Sequence, residues 1–188
     1  LDKASFEAKV RDFVGSLSGA EAALFFYAGH GLQVDGRNYM VPVDADVANE
    51  ADLPFQLVAL DIALQSLAAE RITNIVILDA CRNNPLSEKL AKALGERANA
   101  VGRGLGTITT GTGTLISFST QPGNVALDGE GPDSPFTEAL VKHIATPNVT
   151  ALSMLQDVRS DVVERTKEQQ VPWDNSSLLH DFFFNLTK

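Results

Sequence analysis

Three short, mainly apolar runs restrict what this chain can fold into: Ala22-Ala23-Leu24-Phe25-Phe26-Tyr27-Ala28, Ile75 to Leu78 within a strand expected over Thr73 to Leu78, and Leu115 to Phe118 within one expected over Thr114 to Phe118. They lack the apolar-polar alternation of a half-exposed strand, and they are far below the roughly 20 residues of a membrane-spanning helix. Each therefore predicts a strand buried on both faces, as in a parallel sheet covered by helices. The stretches between them supply those helices. Phe6, Val10, Phe13, Val14 and Leu17 recur at helical spacing, with a stop at Gly15 to Gly19. Leu57, Leu60, Ala63, Leu64 and Leu67 predict one helix from Phe55 to Ala69, and a weaker one is expected from Leu86 to Ala98. Ser134 followed by Pro135 predicts a capped helix to about Ala145, and Thr150 another over Ala151 to Lys167.

The remaining segments read as connections. Gln33-Val34, Asp35-Gly36 and Arg37 to Val41 predict a small hairpin, followed by a loop in which Asp44 and Asp46 are expected as loop formers. Gly102 to Gly113 is rich in glycine and is expected to be a mobile loop that tolerates cleavage. The C-terminal Val171 to Asn185 is expected to hold one last strand. Strands alternating with helices imply one α/β domain with a mainly parallel central sheet, spanning residues 1–188.

Charge and cysteine content narrow the chemistry. Fifteen Lys and Arg against twenty-four Asp and Glu give a net charge of −9, which opposes nucleic-acid binding and favours basic peptides or cations. The single cysteine, Cys81, cannot form an internal disulfide, and no spacing of Cys and His matches a structural metal site. No membrane segment is expected.

Ligands of parallel sheets bind beyond the carboxyl ends of the strands. His30 follows the first apolar run and Cys81 the second, so both are expected at one sheet edge. A Cys-His nucleophilic dyad needs that arrangement, because the imidazole takes the thiol proton and the thiolate attacks a carbonyl. Tyr27-Ala28-Gly29-His30-Gly31 with Asp79-Ala80-Cys81-Arg82 resembles the caspase, metacaspase and paracaspase group of cysteine peptidases (the C14 family, with its bacterial orthocaspases). His30 precedes Cys81 by 51 residues, close to the caspase spacing of about 50. Ser119-Thr120-Gln121-Pro122-Gly123 is similar to the segment lining the caspase substrate groove. Pro172, Ser176, Leu178, Phe182 and Phe184 resemble the family's C-terminal pattern.

The resemblance implies a caspase-haemoglobinase-like fold and a cysteine endopeptidase. Cys81 would be the nucleophile and His30 the general acid and base, with the amides of Gly31 and Cys81 as oxyanion donors; Gly31 would let the backbone approach a substrate closely. Asp79 stands where caspases carry Gln, and Asp128 stands at the place of their aspartate-binding arginine, with Glu130 and Asp133 as alternatives in that loop. Carboxylates there would repel an acidic P1 side chain and pair with Arg or Lys, as in metacaspases and paracaspases. No cofactor is required by the sequence. Calcium dependence, frequent in metacaspases, is left open, since no calcium loop of fixed spacing is present. His143 is expected to cap the negative end of its helix.

By the same resemblance, residues 1–100 correspond to a large subunit, 101–113 to the linker and 114–188 to a small subunit. Arg82, Lys89, Lys92, Arg97 and Arg103 would be candidate self-cleavage sites. The family's first strand, helix and second strand are missing ahead of Leu1, so the chain reads as a fragment whose sheet exposes an apolar edge. Partners would be protein or peptide substrates with Arg or Lys, and a second copy or a missing N-terminal fragment. Cytoplasmic localisation is a default. The rival readings are a catalytically silent scaffold of the same fold and an enzyme for acidic residues, which Asp79 and Asp128 oppose.

Overall fold

The three apolar runs lie at the centre of one sheet. The computed structural model describes residues 1–69, 71–81, 85–94, 101–102, 105–106, 108, 111–121, 124, 126–129 and 131–187. In chain order the elements are α1 (Lys3–Gly15), β1 (Ala22–Val34), β2 (Arg37–Met40), a 3-10 turn (Glu50–Asp52), α2 (Leu53–Gln56), β3 (Val58–Ala59), α3 (Leu60–Ala69), β4 (Thr73–Cys81), α4 (Pro85–Leu94), β5 (Val101–Gly102), β6 (Thr114–Phe118), α5 (Pro135–Ile144), α6 (Ala151–Arg165) and β7 (Trp173–Ser176). The sheet runs β3-β2-β1-β4-β6-β7, with β5 added to β1. The pairs β1–β4 and β4–β6 are parallel, and the flanking strands are antiparallel.

The two-residue alternation of the strands divides the core. Val76, Leu78 and Ala80 of β4 pack with Ala23, Tyr27, Ile116, Phe118 and the helix residues Leu60 and Leu67. Ile75 and Ile77 face the other way, with Leu115, onto Phe136, Leu140, Met154, Leu155 and Val158 of α5 and α6. A third cluster, including Leu32, Tyr39, Leu53, Leu57 and Leu90, lies under the far end of β1. Both faces of β4 and β6 are thus covered, which is why their sequences carry no polar alternation.

Three expectations change. The helix expected from Phe55 to Ala69 is broken by Val58 and Ala59, which pair with Met40 and Tyr39 of β2. A β-branched residue beside an open strand edge gains a ladder partner that a continuous helix would forfeit. The first strand does not end at Ala28: it continues through His30 to Val34, because β4 pairs with it as far as Cys81 and β2 then takes over. The expected mobile loop begins with β5 on β1, and Leu105 is buried. Gly106 is held there too, its N–H donating to Asn38 Oδ1 at 2.6 Å. The weaker helix is seen from Pro85 to Leu94, and the rest of its expected span, residues 95–98, lies outside the described residues.

Residues 22–29 of β1 pair with β4 alone among the described residues, leaving the other edge of that stretch without a strand partner. Leu24 and Phe26 are each 46% exposed there. Among the described residues no helix is long and apolar enough to cross a membrane.

Candidate active site

The parallel register sets the geometry of the site. It pairs Ala22 with Thr73 and continues without a bulge to its last pair, His30 with Cys81. The two residues the sequence singles out thus stand opposite each other on adjacent central strands, inside the strands rather than just beyond them. His30 is exposed. Val41 N donates to His30 O at 3.1 Å, so Gly31 and Met40 form a non-hydrogen-bonded antiparallel pair. The Gly31 amide consequently faces β4, on the side where Cys81 ends that strand.

The glycines around His30 serve packing. A Cβ at Gly29 would lie 2.7 Å from the Tyr27 hydroxyl, and one at Gly31 would lie 2.8 Å from Leu105 Cγ and 3.2 Å from Ala80 Cβ. The space expected at Gly31 for an approaching substrate is therefore taken on this face by Leu105, a side chain of the linker. Tyr27 donates its hydroxyl to His30 O at 2.8 Å and accepts from Val41 N at 3.2 Å. Phe6 of α1 stacks on the Tyr27 ring, with centroids 5.8 Å apart and planes at 22°. The sequence motif contains Tyr27 but offers no signal of this contact, which depends on the chain folding back over Gly29.

Asp79 is 4% exposed and shares the face of Ile75 and Ile77. Its Oδ2 accepts hydrogen bonds from Ser134 Oγ and, at 2.6 Å, from Thr137 Oγ1. Ser134 is the N-cap of α5, its oxygen accepting from Thr137 N at 3.0 Å. The second oxygen, Oδ1, is buried with no hydrogen-bond partner among the described residues. Ser134 is legible in the sequence as a cap; its hold on Asp79 is not.

Gln170, fully buried, ties the neighbouring loops together. Its Nε2 donates to Ser119 O at 2.8 Å, and its Oε1 accepts from Leu127 N at 2.9 Å. Asp128, next to that anchor, is exposed, as is Asp133. Glu130, Pro122, Gly123, Arg82, Arg97 and Arg103 lie outside the described residues. Lys89 and Lys92 are exposed on α4.

The other acids and histidines serve the fold. Asp44 accepts from Lys3 N at 2.9 Å, and Asp46 pairs with Lys89 at 3.0 Å. His143 lies in the last turn of α5 as expected, but its Nε2 contacts Asp161 of α6 at 2.8 Å instead of acting on the helix end alone. Among the described residues no group of three or more His, Cys, Asp or Glu side chains is arranged to hold a metal ion.

The fold is similar to that of a solved structure described as caspase-1 from Spodoptera frugiperda: the match covers 100% of this chain and 73% of that one, with a TM-score of 0.67 and 16% identity. Comparison of the sequence with curated proteins returned no match. A family model described as the caspase domain matches residues 1–183, nearly the whole chain, and shows that the protein belongs to the caspase-domain family of cysteine peptidases.

Proposed function

We propose that the chain is a cysteine endopeptidase of the metacaspase or paracaspase type that cleaves after Arg or Lys. The observation that carries this reading is the β1–β4 register, which ends with His30 opposite Cys81. The Cys81 thiol gives its proton to His30, and the thiolate attacks the scissile carbonyl to form a tetrahedral intermediate. The amides of Gly31 and Cys81 donate to its oxyanion, the roles that the family resemblance implies for them. As the C–N bond breaks, His30 protonates the leaving amine. It then takes a proton from water, whose oxygen attacks the acyl carbon, and the thiol is regenerated as the acid departs.

Specificity rests on Asp79. A buried carboxylate oxygen without a partner costs free energy that a guanidinium or ammonium donor would recover. The hydroxyls of Ser134 and Thr137 hold one oxygen and leave the other for the P1 side chain. Asp128, which is exposed, is the second carboxylate that this reading assigns to the P1 side chain.

The test is hydrolysis of matched fluorogenic peptides ending in Arg, Lys or Asp, with and without calcium, by wild-type, Cys81→Ala, Asp79→Asn and Asp128→Asn protein. Arg and Lys peptides should be cleaved and Asp peptides left intact, with all turnover lost in Cys81→Ala. Loss of a buried charge partner predicts a fall in kcat/KM of roughly 30-fold to several thousand-fold for Asp79→Asn, and a smaller one for Asp128→Asn. Preference for Asp peptides would refute the acidic pocket. No turnover of any peptide, with calcium or without, would favour a silent scaffold.

A further inference from the structure

We propose that Tyr27 is a positioning residue that fixes the imidazole of His30 by clamping its backbone, a role that rests on the Cys81–His30 reading above. Up to Gly29, the outer edge of β1 has no strand partner among the described residues, and at His30 the ladder begins with one backbone bond, from Val41 N to His30 O at 3.1 Å. The Tyr27 hydroxyl reinforces that first rung. It bonds His30 O at 2.8 Å and takes the Val41 N–H at 3.2 Å, joining the strand to the segment that follows β2.

Three features keep the phenol in place. Its ring is 9% exposed, Phe6 stacks against it, and Gly29 has no Cβ to displace its oxygen. Phenylalanine would fill the same volume. What the hydroxyl adds is a second bond to His30 O, beside the one from Val41 N. By strand alternation Tyr27 and His30 point to opposite faces, so the clamp holds the histidine from behind and leaves its ring free for proton transfer. A shift of about 1 Å in a catalytic group can cost on the order of 100-fold in rate, which makes a backbone clamp at this position consequential.

The experiment compares wild type, Tyr27→Phe, His30→Ala and the double variant. It reads kcat and KM for an Arg peptide, and the second-order rate of Cys81 alkylation by iodoacetamide. Tyr27→Phe should lower kcat by roughly 10- to 100-fold with KM within about twofold, and slow alkylation. On top of His30→Ala it should slow alkylation no further, because the hydroxyl acts through the histidine. Gly29→Ala, which pushes on the phenol without removing it and also strains the backbone at a φ of +159°, should show the same split and serves if Tyr27→Phe does not fold. Wild-type kcat in a folded Tyr27→Phe or Gly29→Ala protein overturns the proposal. So does an equal slowing of alkylation with and without His30, which marks a purely structural role. Alkylation of otherwise wild-type protein that is indifferent to His30→Ala refutes the dyad reading itself, and the clamp falls with it.

Discussion

Replacing Gly31 by alanine would put a methyl carbon 2.8 Å from Leu105 Cγ, 2.9 Å from Leu105 Cδ2 and 3.2 Å from Ala80 Cβ. Leu105 is 3% exposed and cannot swing into solvent without emptying its place in the core. Overpacking of this kind costs about 1–3 kcal/mol. Leu105→Ala alone should cost about 2–5 kcal/mol through lost burial and the cavity left behind. In the double variant the new methyl group occupies part of that cavity, and only the tight contact with Ala80 remains. Gly31→Ala should then be nearly neutral, giving a coupling of about 1–2 kcal/mol. Urea unfolding followed by far-UV circular dichroism measures all four corners of the cycle, and Gly31→Ala should lower the midpoint by roughly 1 M. Equal costs of Gly31→Ala with and without Leu105 would refute the docked linker. If Gly31 matters only for substrate approach, Gly31→Ala will keep wild-type stability and lose turnover, and Leu105→Ala will not restore it.

Ser134→Ala removes both the α5 cap and one of the hydroxyls on Asp79, so a loss of about 1–2 kcal/mol by urea unfolding is expected, together with a higher KM for Arg peptides; unchanged stability and KM would disconnect the cap from the pocket. Asp161 ties α6 to α5 through Lys142 Nζ at 2.7 Å and His143 Nε2 at 2.8 Å, and these partners hold its carboxyl below its ordinary value near 3.8. A lowered folded-state value means the stabilisation is present above pH 3.8 and lost as the pH falls through the folded value. Asp161→Asn should therefore cost a few tenths to about 1 kcal/mol at pH 7 and little at the acid end, measured by urea unfolding at both pH values; a pH-independent cost would refute the ion-pair reading.

The central strands and the placement of His30 and Cys81 on neighbouring ones were legible because the physics behind them is local. Apolar runs such as Ile75 to Leu78 need cover on both faces, and the residues that follow such runs lie toward the carboxyl ends of the strands, where parallel sheets bind ligands. Ser134 and Thr150 were legible as caps for the same reason: each accepts a backbone N–H three residues on, from Thr137 and Ser153. The family resemblance rested on His30 and Cys81 keeping their order and spacing, and the match over residues 1–183 bears it out.

What the sequence could not contain is every choice made between segments far apart in the chain. Val58 and Ala59 leave the helical pattern because β2 presents an open edge, and Leu105 leaves an apparently mobile loop because Gly31 and Ala80 leave room for it. Asp79 Oδ2 is held by two hydroxyls more than fifty residues away, and the carbonyl of His30 is held by a tyrosine whose ring must first fold over Gly29. Sequence by itself determined the three central strands and the helices around them apart from the break at Val58 and Ala59, and it nominated His30 and Cys81 for chemistry, since period, apolar run length and side-chain type are written residue by residue. Only the tertiary structure decided the register that sets His30 opposite Cys81 and the contacts that orient both Asp79 and His30, because those depend on how separate elements share edges and fill space.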